Sequence, residues 1–269
     1  MTDLTLLIQL ERLIPDISDK ILNHYFNQTT AEIKTDGSIV TEADLAMQQA
    51  LTTELAKIAP AVKMLSEEMT VEEQMDVMNK HNSYWCLDPV DGTNNFHHGV
   101  PLFAVSLALI EDRKLKMGII YDPVRKEIFS AVNGSGLRIN GQIHDSVEQP
   151  ETLNKCLASI DFKRLKSTAM MHLCNNMPFK SQRNIGTCAL EWAWLAAGRT
   201  QLLLHGGEKF WDYAAGCLLL DEANGASSTD KRQPIFNNSL DNRPIIAAAN
   251  PSLHKLWADF LISDNEIGS

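Results

Sequence analysis

The stretch Tyr84-Trp-Cys-Leu-Asp88-Pro-Val-Asp91-Gly-Thr-Asn-Asn-Phe96 decides the reading of this chain. The apolar run 84–87 reads as a strand, and it carries two aspartates, three residues apart, at its tip. Pro89 fixes φ and is expected to end the strand pairing. Gly92 permits a tight bend, and Thr93-Asn94 can open a helix. Two carboxylates on one turn suit a hard cation that takes oxygen ligands. The carbonyl of Val90, between them, is a natural additional ligand. The N–H groups of Gly92, Thr93 and Asn94 can hold a phosphate oxygen at the start of the helix. Asp-Pro and Asp-Gly are each ordinary turn chemistry, but turn chemistry alone does not account for the whole run.

Working outward, apolar spacing predicts a helix over 4–26, which Pro15 is expected to kink or interrupt. Residues 34–40 read as a turn into a short extended piece. Thr41 and Asp44 form a capping pair that opens a second helix to about Ile58. Residues 62–65 read as a strand, and the acidic 67–80 as helix or loop. Runs 102–110, 116–121 and 127–132, separated by turns, predict an antiparallel meander. The polar segment 144–154, with Pro150, is the expected boundary between lobes. It divides an α+β lobe, 1–145, from an α/β lobe, 146–269. In the second lobe strands are expected at 156–161, 183–186, 201–204 and 245–249. Helices are expected at 165–175, 189–197, 211–223 and 251–262, so strands lie between helical layers.

The composition sets bounds on function. The chain has 269 residues, 44% of them hydrophobic, which is enough for a large core without staples. Its net charge of −10 disfavours a nucleic-acid backbone or an anionic membrane surface as main partner. The five cysteines are scattered and form no CxxC, so buried thiols in a reducing cytoplasm are expected rather than disulfides or structural zinc. No basic n-region opens the chain and no apolar run reaches membrane-spanning length, which predicts a soluble cytoplasmic protein.

The run Asp88-Pro-Val-Asp91-Gly-Thr-Asn-Asn-Phe96 resembles the signature of the inositol monophosphatase family of magnesium-dependent, lithium-sensitive phosphatases. Further motifs resemble that family in its own order: Asp36-Gly-Ser-Ile-Val-Thr41-Glu-Ala-Asp44, Ser66-Glu67-Glu68, Gly186-Thr187 and Trp211-Asp212-Tyr-Ala-Ala-Gly216. The resemblance implies a layered αβαβα sandwich with the site between lobes. It implies that Glu67, Asp88 and the Val90 carbonyl hold one Mg²⁺, and that Asp88, Asp91 and Asp212 hold a second. A third, weaker ion would sit near Glu67, largely through water. Thr93, hydrogen-bonded to Asp44, would orient the attacking water, with Glu67 completing the catalytic set. Gly92, Thr93, Asn94, Gly186, Thr187, His205 and Asp212 would face the substrate, a small phosphorylated metabolite. A homodimer is implied as well. Lys34 reads either as a contact to phosphate or to the metal-bound water, or as an exposed lysine.

One position departs from the pattern. Inositol-specific members carry a glutamate seven residues before the Trp-Asp aspartate; here that position is His205, and Glu208 is offset by three. Relatives acting on histidinol phosphate, sugar bisphosphates or nucleotides therefore stay open as alternatives, as does a non-catalytic regulatory role. Asn94-Asn95 lies closer to the inositol and sugar-phosphate types, since nucleotidases tend to carry Lys-Glu there. The acidity of the chain also acquires a local meaning. Carboxylates gathered in one cleft repel phosphate until divalent cations fill it.

Overall fold

The computed structural model describes residues 2–26, 31–34, 39–145, 147–262 and 267. Helix α1 (Asp3–Tyr25) leads to an antiparallel pair, β1 (Ala31–Ile33) and β2 (Ile39–Thr41), then α2 (Glu42–Ile58) and β3 (Lys63–Ser66). Next come α3 (Val71–Lys80), β4 (Ser83–Asp91), the short α4 (Thr93–His97), β5 (Ala104–Glu111), β6 (Lys114–Asp122) and β7 (Glu127–Val132). A small hairpin, β8 (Arg138–Ile139) and β9 (Gln142–Ile143), follows. The second half runs β10 (Leu157–Asp161), α5 (Ser167–Asn176), β11 (Ser181–Arg183), α6 (Cys188–Ala196), β12 (Leu202–Glu208) and α7 (Phe210–Glu222). It ends with β13 (Ala226–Ser228), β14 (Arg243–Ala248) and α8 (Pro251–Ile262).

These elements stack as an αβαβα sandwich. Helices α1 and α2 cover one face of a seven-stranded sheet, ordered β3 to β9. Helices α6 and α7 fill the space between it and a five-stranded sheet of order β11-β10-β12-β14-β13. Helices α5 and α8 cover the far side. The period-two alternation of the strands assigns side chains to layers. On β4, Trp85 and Leu87 pack toward α1 and α2, whereas Tyr84 and Cys86 pack toward α7. On β12, Leu203 faces the central layer, and Leu202 and Leu204 face α8.

Small residues set the depth of the central helix. Ala108, Gly118 and Ala131 lie side by side on β5, β6 and β7. A Cβ on Gly118 would lie 2.8 Å from the carbonyl oxygen of Ala215, so α7 rests directly on the sheet backbone. This contact brings the first turn of α7, with Asp212, over the end of β4.

Two expectations about proline are corrected. Helix α1 runs unbroken through Pro15. An interior proline costs roughly 3 kcal/mol, but Leu7, Leu10, Ile14 and Leu22 are buried on both sides of it, and each such side chain contributes roughly 1.5–3 kcal/mol. Pro89 does not end β4. Asp88 pairs with Ser106 and Asp91 with Ala104, so one extra residue on β4 forms a bulge. Pro89 falls inside it, where no ladder N–H is required. The meander β5-β6-β7 is antiparallel as expected, and the segment 67–80 resolves into a loop followed by α3. The short strands β8, β9 and β13 do not follow from the sequence pattern. Part of the N-terminal motif, residues 35–38, lies outside the described residues.

Candidate active site

The bulge in β4 turns both aspartates toward one cleft of about 350 Å³. Gly92 completes the turn with φ of +87°, and a Cβ there would lie 3.1 Å from both the Leu102 carbonyl oxygen and Thr187 Cβ. Strand β3 runs parallel to β4 with Ser66 opposite Leu87, and the Glu67 N–H donates to the Leu87 carbonyl at 3.1 Å. Glu67 is thereby delivered beside Asp88 on the cleft wall. Asp212 enters from above, in the first turn of α7, where a carboxylate suits the helix dipole. The Lys209 N–H donates to its Oδ2 at 2.9 Å.

Oxygen atoms of Asp88, Asp91 and Asp212 lie within 4.8 Å of one another. Burial, then the charges of Glu67, Asp91 and Asp212, pushes Asp88 well above the usual carboxylate range. Burial pushes Asp91 up to about 6, against the hydrogen bonds it accepts from Thr187 and Ala189. Burial, with Asp91 and Glu67, pushes Asp212 up to about 7. Three crowded acidic groups with oxygen donors only, at the head of an open cleft, fit a hard divalent cation that would offset this repulsion.

The other predicted residues fall around this cluster. Val90, Gly92, Thr93 and Asn94 line the cleft. The Thr93 hydroxyl lies 3.0 Å from the Val90 carbonyl and 3.3 Å from Asp44 Oδ1. Asp44 is fully buried behind it; its other oxygen accepts from the N–H and hydroxyl of Thr41 at 2.8 and 2.6 Å, closing the capping box of α2. Burial raises Asp44 to about 6, opposed by those Thr41 bonds. Gly186 and Thr187 line the opposite wall, and Thr187 donates its hydroxyl to Asp91 Oδ2. Lys34 is neither free nor aimed at the three aspartates: its Nζ lies 3.2 Å from Glu67 and 2.7 Å from Glu68.

His205 lines the cleft at the end of β12. Its Nδ1 accepts the Gly207 N–H at 3.0 Å, which places the ring proton on Nε2, facing Asp161 Oδ2 at 3.2 Å. That bond holds Asp161 below the usual carboxylate range. Glu208 does not take over at the cleft. It is fully buried, accepts from the Trp192 indole at 2.7 Å, and is pushed far up by burial and by Asp212. All five cysteines are free thiols; Cys188 lines the cleft, and burial raises it far above the ordinary thiol range.

The sequence reading missed one side of the cleft: Asp161, Lys163, Arg164, Asn184, Glu191 and Lys209 all line it. Asn95 clamps the two halves, its amide nitrogen lying 2.8 Å from the Leu102 carbonyl and 2.7 Å from that of Ile185. Local spacing carries no trace of these residues, because strand order alone brings them together.

A bulged strand carrying two carboxylates, facing a helix start with a third, makes an acidic cleft that could hold a metal ion in an αβαβα sandwich. Residues 5–264 match the model of the inositol monophosphatase family, and the chain belongs to that family. It is 33% identical over 220 residues to an inositol-1-monophosphatase of Mesorhizobium japonicum, covering 80% of each chain. It is 30% identical over 256 residues to inositol monophosphatase 1 of Solanum lycopersicum, covering 90% of this chain and 89% of the other. Among solved structures, the IMPase of Thermotoga maritima superposes with a TM-score of 0.83 at 26% identity, over 96% of this chain and 97% of that one. No helix among the described residues is long and apolar enough to cross a membrane.

Proposed function

We propose that this protein is a Mg²⁺-dependent phosphomonoesterase that hydrolyses a small phosphorylated metabolite of the inositol monophosphate kind. The observation that carries the reading is the convergence of Asp88, Asp91 and Asp212 within 4.8 Å, beside the hydrogen-bonded pair Thr93 and Asp44. Glu67, Asp88 and the Val90 carbonyl would hold one ion, and Asp88, Asp91 and Asp212 another. Ions held there would supply charge neutralisation for the phosphate and a lowered pKa for water, so that hydroxide becomes available as the nucleophile.

The chain's own residues orient the attack. The Thr93 hydroxyl has one proton and two acceptors within reach, Val90 and Asp44. With the proton given to Asp44, its oxygen is left to accept from a water in the cleft, which fixes that water against the phosphorus. Glu67, held by Lys34, supplies negative charge on the same wall for the proton the water loses. The start of α4 at Gly92, Thr93 and Asn94 offers backbone N–H groups to the phosphate oxygens. Thr187 and Ala189 take up one oxygen of Asp91 and so aim the other.

The test is phosphate release from a panel of monoesters with millimolar Mg²⁺, run with and without lithium. Turnover that requires Mg²⁺ and falls with lithium is expected. Release from no monoester at all would refute the reading. Family membership also supports a homodimer in the cytoplasm, which sedimentation and fractionation can check.

A further inference from the structure

A cavity of about 580 Å³, larger than the acidic cleft, opens between α3 and the segment 238–242. Val71, Met75 and Met78 of α3 and Trp211 of α7 form its apolar wall. Val71 and Met75 stand one helical turn apart and are 59% and 51% exposed, so this stretch of α3 lies over open space rather than over packed core. The opposite rim is tied down, because the Tyr84 hydroxyl of β4 donates to Asn238 Oδ1. A volume of this size with an apolar wall and a few polar groups is the usual form of a small-molecule site.

The polar groups around it select a sign of charge. Arg113, in the turn between β5 and β6, and Lys209, at the start of α7, both line the cavity. The Lys209 Nζ lies 5.5 Å from the centroid of the Trp211 ring. Asp241 is the one acid among the lining residues, and its Oδ2 already accepts from Ser239 Oγ at 2.7 Å. Trp211 is only 7% exposed, and its indole Nε1 is buried with no partner among the described residues. A buried indole N–H ordinarily has an acceptor. Two cations and an unpaired N–H beside an apolar wall in a chain of net charge −10 call for an anion with an apolar body.

The cavity shares its walls with the acidic cleft. Gln74 lines it from α3, is 3% exposed, and donates its Nε2 to the Ser66 carbonyl at 2.8 Å, one residue before Glu67. Trp211 directly precedes Asp212, and the Lys209 N–H donates to Asp212 Oδ2 at 2.9 Å. Lys209 lines both the cavity and the cleft. The backbone that carries Glu67 and Asp212 is therefore held by residues that a ligand in this cavity would touch.

We propose that this cavity is a regulatory site for a small aromatic anion, separate from the substrate cleft. The ring packs against Trp211 and the methionines of α3, and the anionic group faces Arg113 and Lys209. A neutral apolar ligand would leave both cations unmatched, and a cationic one would be repelled by them. The sign of the regulation follows from charge. Without metal, the crowded carboxylates of the cleft repel an anion seated next to Lys209 and Trp211. Divalent cations in the cleft remove that repulsion, so anion and cation favour each other's binding, and the effect is reciprocal. This link to the cleft rests on the phosphatase reading; the site itself does not.

The probe is 1-anilinonaphthalene-8-sulfonate, an aromatic anion whose fluorescence rises in an apolar site. It is titrated into the full chain in chelator, as wild type, Arg113→Gln and Met75→Trp. One saturable site is expected in the wild type. Arg113→Gln removes a cation and should weaken binding about tenfold. Met75→Trp fills the cavity from an exposed helix position and should weaken it at least as much. Thermal melts of both variants should match wild type, since both positions are exposed. No saturable binding in the wild type, or equal binding by all three proteins, would overturn the site, whether or not any ester is hydrolysed. The titration is then repeated with millimolar Mg²⁺. The wild-type Kd should fall by roughly fivefold, and the dye should lower the Mg²⁺ concentration for half-maximal phosphate release by a similar factor. An unchanged Kd would overturn the link to the cleft, whereas a Kd that tightens without any phosphate release would support the link and count against the phosphatase reading alone.

Discussion

Thr187 donates its hydroxyl to Asp91 Oδ2, and the Ala189 N–H donates to the same oxygen at 2.8 Å. The helix start of α6 therefore holds a carboxylate of β4, joining the two halves of the sandwich at the cleft. One Asp91 oxygen is committed, and the other is left for the cation proposed above. Replacing Thr187 by valine keeps the shape and removes the donor. Groups that orient a ligating carboxylate change affinity by roughly 10–100-fold when lost. Thr187→Val should raise the Mg²⁺ concentration for half-maximal activity by about tenfold or more, with a smaller change in activity at saturating Mg²⁺. An unchanged Mg²⁺ dependence would remove Thr187 from this role.

Asp91→Asn separates function from stability. Asparagine still accepts the Thr187 and Ala189 bonds but carries no charge. Activity should fall by roughly a hundredfold or more, beyond the loss of an orienting partner alone. Metal-free stability should hold or rise, because Asp91 is raised to about 6 by burial and its charge is unfavourable near neutral pH. Phosphate release and chelator-treated thermal melts measure the two effects. A variant that loses both together would show Asp91 to be structural instead.

The local parts of this site are readable in the chain, and the distant parts are not. Thr41 and Asp44 announce a cap because a capping box closes within three residues, and the structure closes it. Asp44 also reaches Thr93, and that contact depends on α2 packing beside β4. The bulge at Pro89 is invisible from spacing, since the partner strand β5 decides it. Asp161, Arg164 and Glu191 carry no motif at all. They reach the cleft through β10 pairing in parallel with β12, and through α6 lying between the sheets. Pro15 was misread for a related reason: a breaker rule counts the lost hydrogen bond but not the buried leucines that compensate for it.

Gly118 sets how closely α7 approaches the sheet. A methyl group there meets the Ala215 carbonyl oxygen at 2.8 Å, and backbone cannot swing aside as a flexible side chain does. Gly118→Ala should destabilise the fold by about 1–3 kcal/mol, the usual range for overpacking. The displaced helix carries Asp212, so Mg²⁺-dependent turnover should fall as well, although residue 118 does not line the cleft. Guanidinium denaturation and a Mg²⁺ titration test this. Wild-type stability in the variant would mean that α7 has slack at this contact.

Glu191 gives the fold a pH dependence that can be assigned to one side chain. It is 2% exposed at the cleft, and its Oε1 accepts the Ile185 N–H at 3.3 Å. Burial raises its pKa from 4.5 to about 8; the Ile185 bond opposes this, and Asp161 and Asp91 add to it. The folded state therefore favours the protonated acid. Its stabilising effect is complete below about pH 4.5 and is lost progressively as pH rises through about 8. Glu191→Gln stays neutral throughout and keeps an acceptor for Ile185. The stability of the variant relative to wild type should thus increase from about pH 5 to about pH 8 and level off above it. Denaturant midpoints of both proteins, taken across that range in chelator, make the comparison without bound cations. A difference that stays constant with pH would show that Glu191 is charged in the fold, with the strain of burial relieved elsewhere.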